Sequence, residues 1–112
     1  MKAVNLNRLL ILEAPLRVGD GAGGFARNWQ PVGSLWAEIT PGTGRDTGGE
    51  EITLTTVPYR ITVRGAPQGS PRRPQVEQRF RDGGRVFRIL AVTERDPQGH
   101  YLSCFAREEK PA

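Results

Sequence analysis

In the stretch TLTTVPYRITVRG, Val57, Tyr59, Ile61 and Val63 alternate with Arg60, Thr62 and Arg64. Successive side chains of extended backbone leave opposite faces, so this period of two is the mark of a half-buried strand. A chain that repeats the pattern along most of its length is committed to sheets. Pro58 has no N–H for a ladder, which predicts that this strand starts there or runs along an edge.

The same alternation organises the rest of the chain. In GSLWAEITP, Leu35, Ala37 and Ile39 share one face and Trp36, Glu38 and Thr40 the other. GRVFRILAVTERD is apolar on both faces apart from Arg88, which predicts a central strand covered on each side. Before it, Asp82, Gly83 and Gly84 are placed to supply the positive φ angles of a tight hairpin turn. After it, Pro97 and Gly99 turn the chain into a last strand at about Tyr101 to Arg107. Upstream, RLLILEAPLRV and FARNWQPV read as strand-like arms on either side of the glycines in VGDGAGGF. With 14 Gly and 9 Pro among 112 residues, short strands and turns fit better than helices. The prediction is one all-β domain over residues 1–112, a small antiparallel β-barrel or sandwich of six or seven short strands. Two connections, at about 41–53 and 64–75, are longer than a simple turn needs.

Gly19, Gly21 and Gly24 have the GxGxxG spacing of a dinucleotide loop. That loop works only where a helix opens at the third glycine and turns its amides to the phosphates, and here Phe25, Arg27 and Trp29 alternate up to Pro31 instead. The stretch reads as the tip of a first hairpin, and no cofactor is expected. A phosphate loop fails too, for want of a following GK[ST]. His100 reads as a solvated turn residue and Cys104 as a small core residue, with no oriented partner for nucleophilic or general-base work. Adjacent Glu50 and Glu51 diverge rather than converge on one atom. One Cys and one His cannot build a metal site by themselves, so neither an enzyme nor a metalloprotein is expected.

The single cysteine forms no intrachain disulfide and suits synthesis in a reducing cytoplasm. The apolar run Leu9 to Leu12 is ended by Glu13, so no signal peptide is expected, and no stretch approaches a membrane span. The net charge is +4, and all the basic residues except Lys2 and Lys110 are arginine. Arg64, Arg72 and Arg73 form the densest basic patch, suited either to phosphates or an acidic partner surface, or to simple solvation. The aromatics Phe25, Trp29, Tyr59, Phe80, Phe87, Tyr101 and Phe105 mostly alternate as core residues do, so a base-stacking platform is not expected.

The order of these pieces, LNRLLILEAP, a Gly-rich turn, WQPVGSLWAEITPGTGR, YRITVR and DGGRVFRIL, resembles the bacteriophage head-tail joining family, also called connector, stopper or head completion proteins. The similarity spans about Leu6 to Glu108 and extends to members in phage-derived gene transfer agents. GAPQGSPRRPQ departs from any fixed pattern.

The resemblance implies a virion structural protein: a β-barrel that assembles as a homo-oligomeric ring, six- or twelve-fold, at the head-tail interface. A portal-side adaptor would lie above it and a tail terminator or tail tube below. Double-stranded DNA would pass without sequence specificity, and no membrane is involved. The resemblance also assigns channel gating to the loop after the WAE strand, here Gly42, Thr43, Gly44, Arg45, Asp46, Thr47, Gly48, Gly49, Glu50 and Glu51. Its four glycines permit conformational change, and Arg45 against Asp46, Glu50 and Glu51 leaves it acidic. Arg64, Arg72 and Arg73 are expected to face an acidic surface of the ring or of a neighbouring connector. The alternative is a stand-alone oligonucleotide-binding barrel for single-stranded nucleic acid, which charge and strand count permit.

Overall fold

The computed structural model describes the backbone of residues 3–19, 25–42 and 56–109. The alternating segments form six strands: β1 (Arg8–Gly19), β2 (Phe25–Pro41), β3 (Thr56–Arg64), β4 (Arg79–Asp82), β5 (Arg85–Glu94) and β6 (Tyr101–Glu109). FARNWQPV and GSLWAEITP join into the single 17-residue β2. Every pairing is antiparallel. The order β1-β2-β3-β6-β5-β4 closes into a barrel when β4 returns to β1, with Ile11 opposite Arg81, Leu12 opposite Phe80 and Glu13 opposite Arg79.

Inward-facing side chains fill the interior. Leu10 and Leu12 of β1, Ile61 and Val63 of β3, Phe80, Phe87 and Ile89 of β4 and β5, and Leu102 and Cys104 of β6 are fully buried. Tyr59 meets Phe87 edge to face, centroids 5.3 Å apart. The barrel is a packed core and not a tube.

Beyond Glu13 and Pro31, β1 and β2 pair only with each other, from Ala14 opposite Gln30 to Gly19 opposite Phe25. This arm confirms the first hairpin, whose tip lies outside the described residues. At roughly 3.3 Å per residue, its six residue pairs make an arm of roughly 20 Å, in keeping with a longest molecular dimension of 53 Å.

Three details differ from the sequence-based expectation. β5 is not covered on both faces: Phe87 and Ile89 point inward, Leu90 is an extra residue at a bulge, and the phase then flips so that Val92 packs on the core opposite Cys104. A one-sided strand that changes phase looks apolar on both sides. β3 starts at Thr56 and is flanked by β2 and β6, so it is no edge strand. Pro58 is tolerated because the β2 ladder stops at Tyr59, and beyond it Gly42 N–H donates to the Pro58 carbonyl. Within Asp82-Gly83-Gly84, Gly83 takes the positive φ, at 62°, while Asp82 stays in the β4 ladder opposite Arg85. The β5–β6 turn behaves as expected, with Gly99 at φ 69°.

The connection after β3 is folded rather than linker-like. Gly65 N–H donates to the His100 carbonyl at 2.7 Å, Arg73 N–H to Ser70 O at 3.0 Å and Ile89 N–H to Gln78 O at 3.0 Å, and Pro74 is fully buried. A Cβ on Gly65 would run into the Gly99 carbonyl, so the close approach of this connection to the β5–β6 turn requires glycine there.

Candidate assembly surface

The outer face of the barrel carries two clusters of tryptophan and arginine. The first lies over the closing seam, where Glu13 and Trp29 share a face with Arg79 and Arg81, two residues apart on β4. Although it faces outward, Glu13 is only 4% exposed. Arg79 Nε donates to its Oε1 at 2.7 Å and Arg81 Nε to its Oε2 at 2.9 Å. Burial pushes the Glu13 carboxyl upward, but the two guanidiniums outweigh it and hold the pKa below the usual carboxylate value. Arg79 also stacks over Trp29 at 4.1 Å, with Arg88 at 5.3 Å. Arg88 in turn pairs with Glu77 at 3.2 Å and Glu109 at 3.6 Å. This cluster has its cations matched by carboxylates.

The second cluster lies where β2 and β3 meet the segment before β1 and the connection after β3. A groove of about 490 Å³ is lined by Leu6, Ser34, Leu35, Trp36, Arg64 and Arg72. Alternation turns Trp36 outward, away from Leu35 and Ala37, and leaves it 56% exposed. Its cross-strand neighbour Leu9 is 51% exposed. Arg64 and Arg72 are both exposed, and neither guanidinium meets a carboxylate among the described residues.

Of the sequence-predicted partner residues, the structure therefore brings Arg64 and Arg72 to one groove. Arg73 is placed elsewhere: half-buried, it donates from its guanidinium to the Ala66 carbonyl at 2.9 Å, inside its own connection. Of the predicted gating loop, Gly42 is described and caps the β2–β3 ladder. Thr43, Gly44, Arg45, Asp46, Thr47, Gly48, Gly49, Glu50 and Glu51 lie outside the described residues. Glu13 and Trp36 were not singled out as site residues from sequence. The available signals were a lone carboxylate inside an apolar strand and an outward-facing tryptophan.

Burial pushes the Cys104 thiol up to about 12 against the nearby charge of Arg73, so it stays protonated near neutrality. The His100 side chain is 72% exposed, while its N–H and that of Tyr101 are held by Asp96 at 3.1 and 3.0 Å. Among the described residues no group of three or more His, Cys, Asp and Glu is arranged to hold a metal ion, and no helix is long and apolar enough to cross a membrane.

A model of the phage head completion protein family matches residues 1–109. The chain belongs to that family. A chain in the virion of a native gene transfer agent particle is 60% identical and superposes with a TM-score of 0.80, covering 98% of this chain and 100% of that one. Protein SF1141 of Shigella flexneri 2a shares the fold at 21% identity and a TM-score of 0.69, with 96% of each chain covered. No curated protein gives a significant match. Membership of the head completion family, together with the likeness to a gene transfer agent virion chain, supports a structural role between head and tail.

Proposed function

We propose that this head completion protein is a non-enzymatic connector of a tailed phage or gene transfer agent particle, folded as one unit over residues 1–112. Copies form a ring beneath the portal and adaptor, join head to tail, and control the DNA channel with residues 42–51. The observation that carries the reading is the family match over residues 1–109, supported by 60% identity to a full chain of a gene transfer agent virion.

Two physical points agree with it. The barrel is filled by side chains such as Phe80 and Phe87, so a duplex needs a passage between copies and not through one. A duplex carries about one negative charge per 1.7 Å of axis. A segment with Arg45 against Asp46, Glu50 and Glu51 repels it weakly and does not grip. That suits a steric gate that must release DNA quickly.

Shortening Gly42 to Glu50 tests the gate in particles. The expected result is heads that leak DNA or attach tails poorly; heads that keep their DNA and join tails normally would remove the segment from the mechanism. Deleting the chain altogether should leave DNA-filled heads without tails. The competing single-strand-binding reading predicts a steeply salt-dependent gel shift by the isolated chain, and the connector reading predicts weak binding only.

A further inference from the structure

We infer that the groove between Trp36, Arg64 and Arg72 is a docking site for an acidic segment of a different particle protein, one that brings an apolar side chain onto Trp36 and Leu9. The inference rests on the connector reading above and names the surface and the partner's chemistry.

Charge sets the sign of the partner. Arg64 and Arg72 line one groove without a carboxylate among the described residues, which leaves that groove with two unneutralised positive charges. An incoming carboxylate neutralises that charge and can take a guanidinium fork in bidentate fashion.

The chain's own described surface is a poor source of that carboxylate. Glu13, Glu77, Asp82, Glu108 and Glu109 already hold guanidiniums, and Glu38 and Asp96 accept backbone N–H groups from Asn5, His100 and Tyr101. Among described carboxylates Glu94 is the exception. Asp46, Glu50 and Glu51 belong to the segment that the connector reading assigns to the channel. With Asp20 at the tip of the β1–β2 hairpin in sequence, this distribution of carboxylates favours a different chain as the partner.

The apolar half of the groove separates protein from nucleic acid. A phosphate backbone is met by cationic and polar groups, whereas Leu6 and Trp36 in the groove, with exposed Leu9 across from Trp36, offer hydrocarbon and an indole. Exposed Trp beside Arg is the composition of protein-binding hot spots.

The test replaces Trp36 with a photo-crosslinking phenylalanine in the full chain, assembles particles and identifies the cross-linked peptide by mass spectrometry. An Asp/Glu-rich segment of another particle protein is the expected result. A cross-link to a second copy of this chain or to DNA, or none in joined particles, would overturn the inference. In parallel, Arg64→Glu with Arg72→Glu should lower the yield of joined particles about thirtyfold, the loss of one hot spot, while the paired Lys substitutions restore most of it. Unchanged yield with the Glu pair also overturns the inference. Circular dichroism of each variant confirms folding, and Trp36→Ser alone supplies the same readout if the double variant misfolds. Failure of the connector reading is recognised separately: the unaltered chain would then be missing from purified particles.

Discussion

Trp29 and Trp36 sit on the same strand and the same outer wall, each beside two arginines, yet their surroundings are opposite. At Trp29 the arginines Arg79 and Arg88 are matched by Glu13, Glu77 and Glu109, and one of those carboxylates is buried beneath its partners. At Trp36 the arginines Arg64 and Arg72 have no such match among the described residues, and the indole stands in solvent. The same residue types stabilise the closing seam in one place and leave recognition capacity in the other. What separates them is the placement of carboxylates, since cations and aromatics are common to both.

The sharpest way to break this contrast is to remove Glu13. Glu13→Ala leaves Arg79 and Arg81 side by side on β4 without the carboxylate that joins them to β1 and should cost about 3 kcal/mol, the lower end for breaking a buried pair, because both guanidiniums reach solvent. Urea unfolding of the isolated chain measures it. A loss below about 0.5 kcal/mol would make the two clusters equivalent.

The contrast also has a pH signature. The Glu13 pKa is lower in the folded than in the unfolded chain, where the ordinary value is 4.5. Its stabilisation is therefore complete above that value and is lost as pH falls through the folded pKa. A urea series taken downward from about pH 5 should show an acid limb that flattens in Glu13→Gln; equal limbs in the two proteins would contradict the assignment.

Next in size is Gly65→Ala, which pushes β3 away from the Gly99 carbonyl just where Arg64 is delivered to its groove. A cost of about 2 kcal/mol is expected from overpacking, read as a fall in Tm. A neutral variant would show that this end of β3 yields easily.

The smallest effects compare the tryptophans directly. Trp29→Ala removes the platform under Arg79 and Arg88 and should cost about 1–2 kcal/mol. Trp36→Ala should change the stability of the isolated chain by no more than about 0.5 kcal/mol, although it is the larger loss in particle assembly. A reversed order in Tm would collapse the distinction between the two regions.

Much of this architecture is legible in the sequence because alternation reports strands directly, as Ile61 and Val63 show against Arg64. Bulges are harder to read. Val32 and Leu90 each add one residue, shift the phase, and turn FARNWQPV plus GSLWAEITP into one strand and β5 into a falsely two-sided one. The resemblance to the head completion family rested on the order of several short motifs, and so survived those local errors. The two clusters were less accessible. Glu13 meets Arg79 and Arg81 across 66 and 68 residues of chain, a pairing that appears only when β4 closes on β1. Arg64 and Arg72 stood out as charge, but their convergence with Trp36 depends on how the Pro-rich connection folds back, and no local periodicity encodes that.

Cys104, the chain's one cysteine, is fully buried in β6, with its thiol held protonated by burial. At neutral pH a maleimide or iodoacetamide reagent should leave it untouched. A cysteine introduced at Ser34, on the groove rim, would then be the one reactive handle, giving a spin label or fluorophore a unique address beside Trp36 without first engineering away the native thiol.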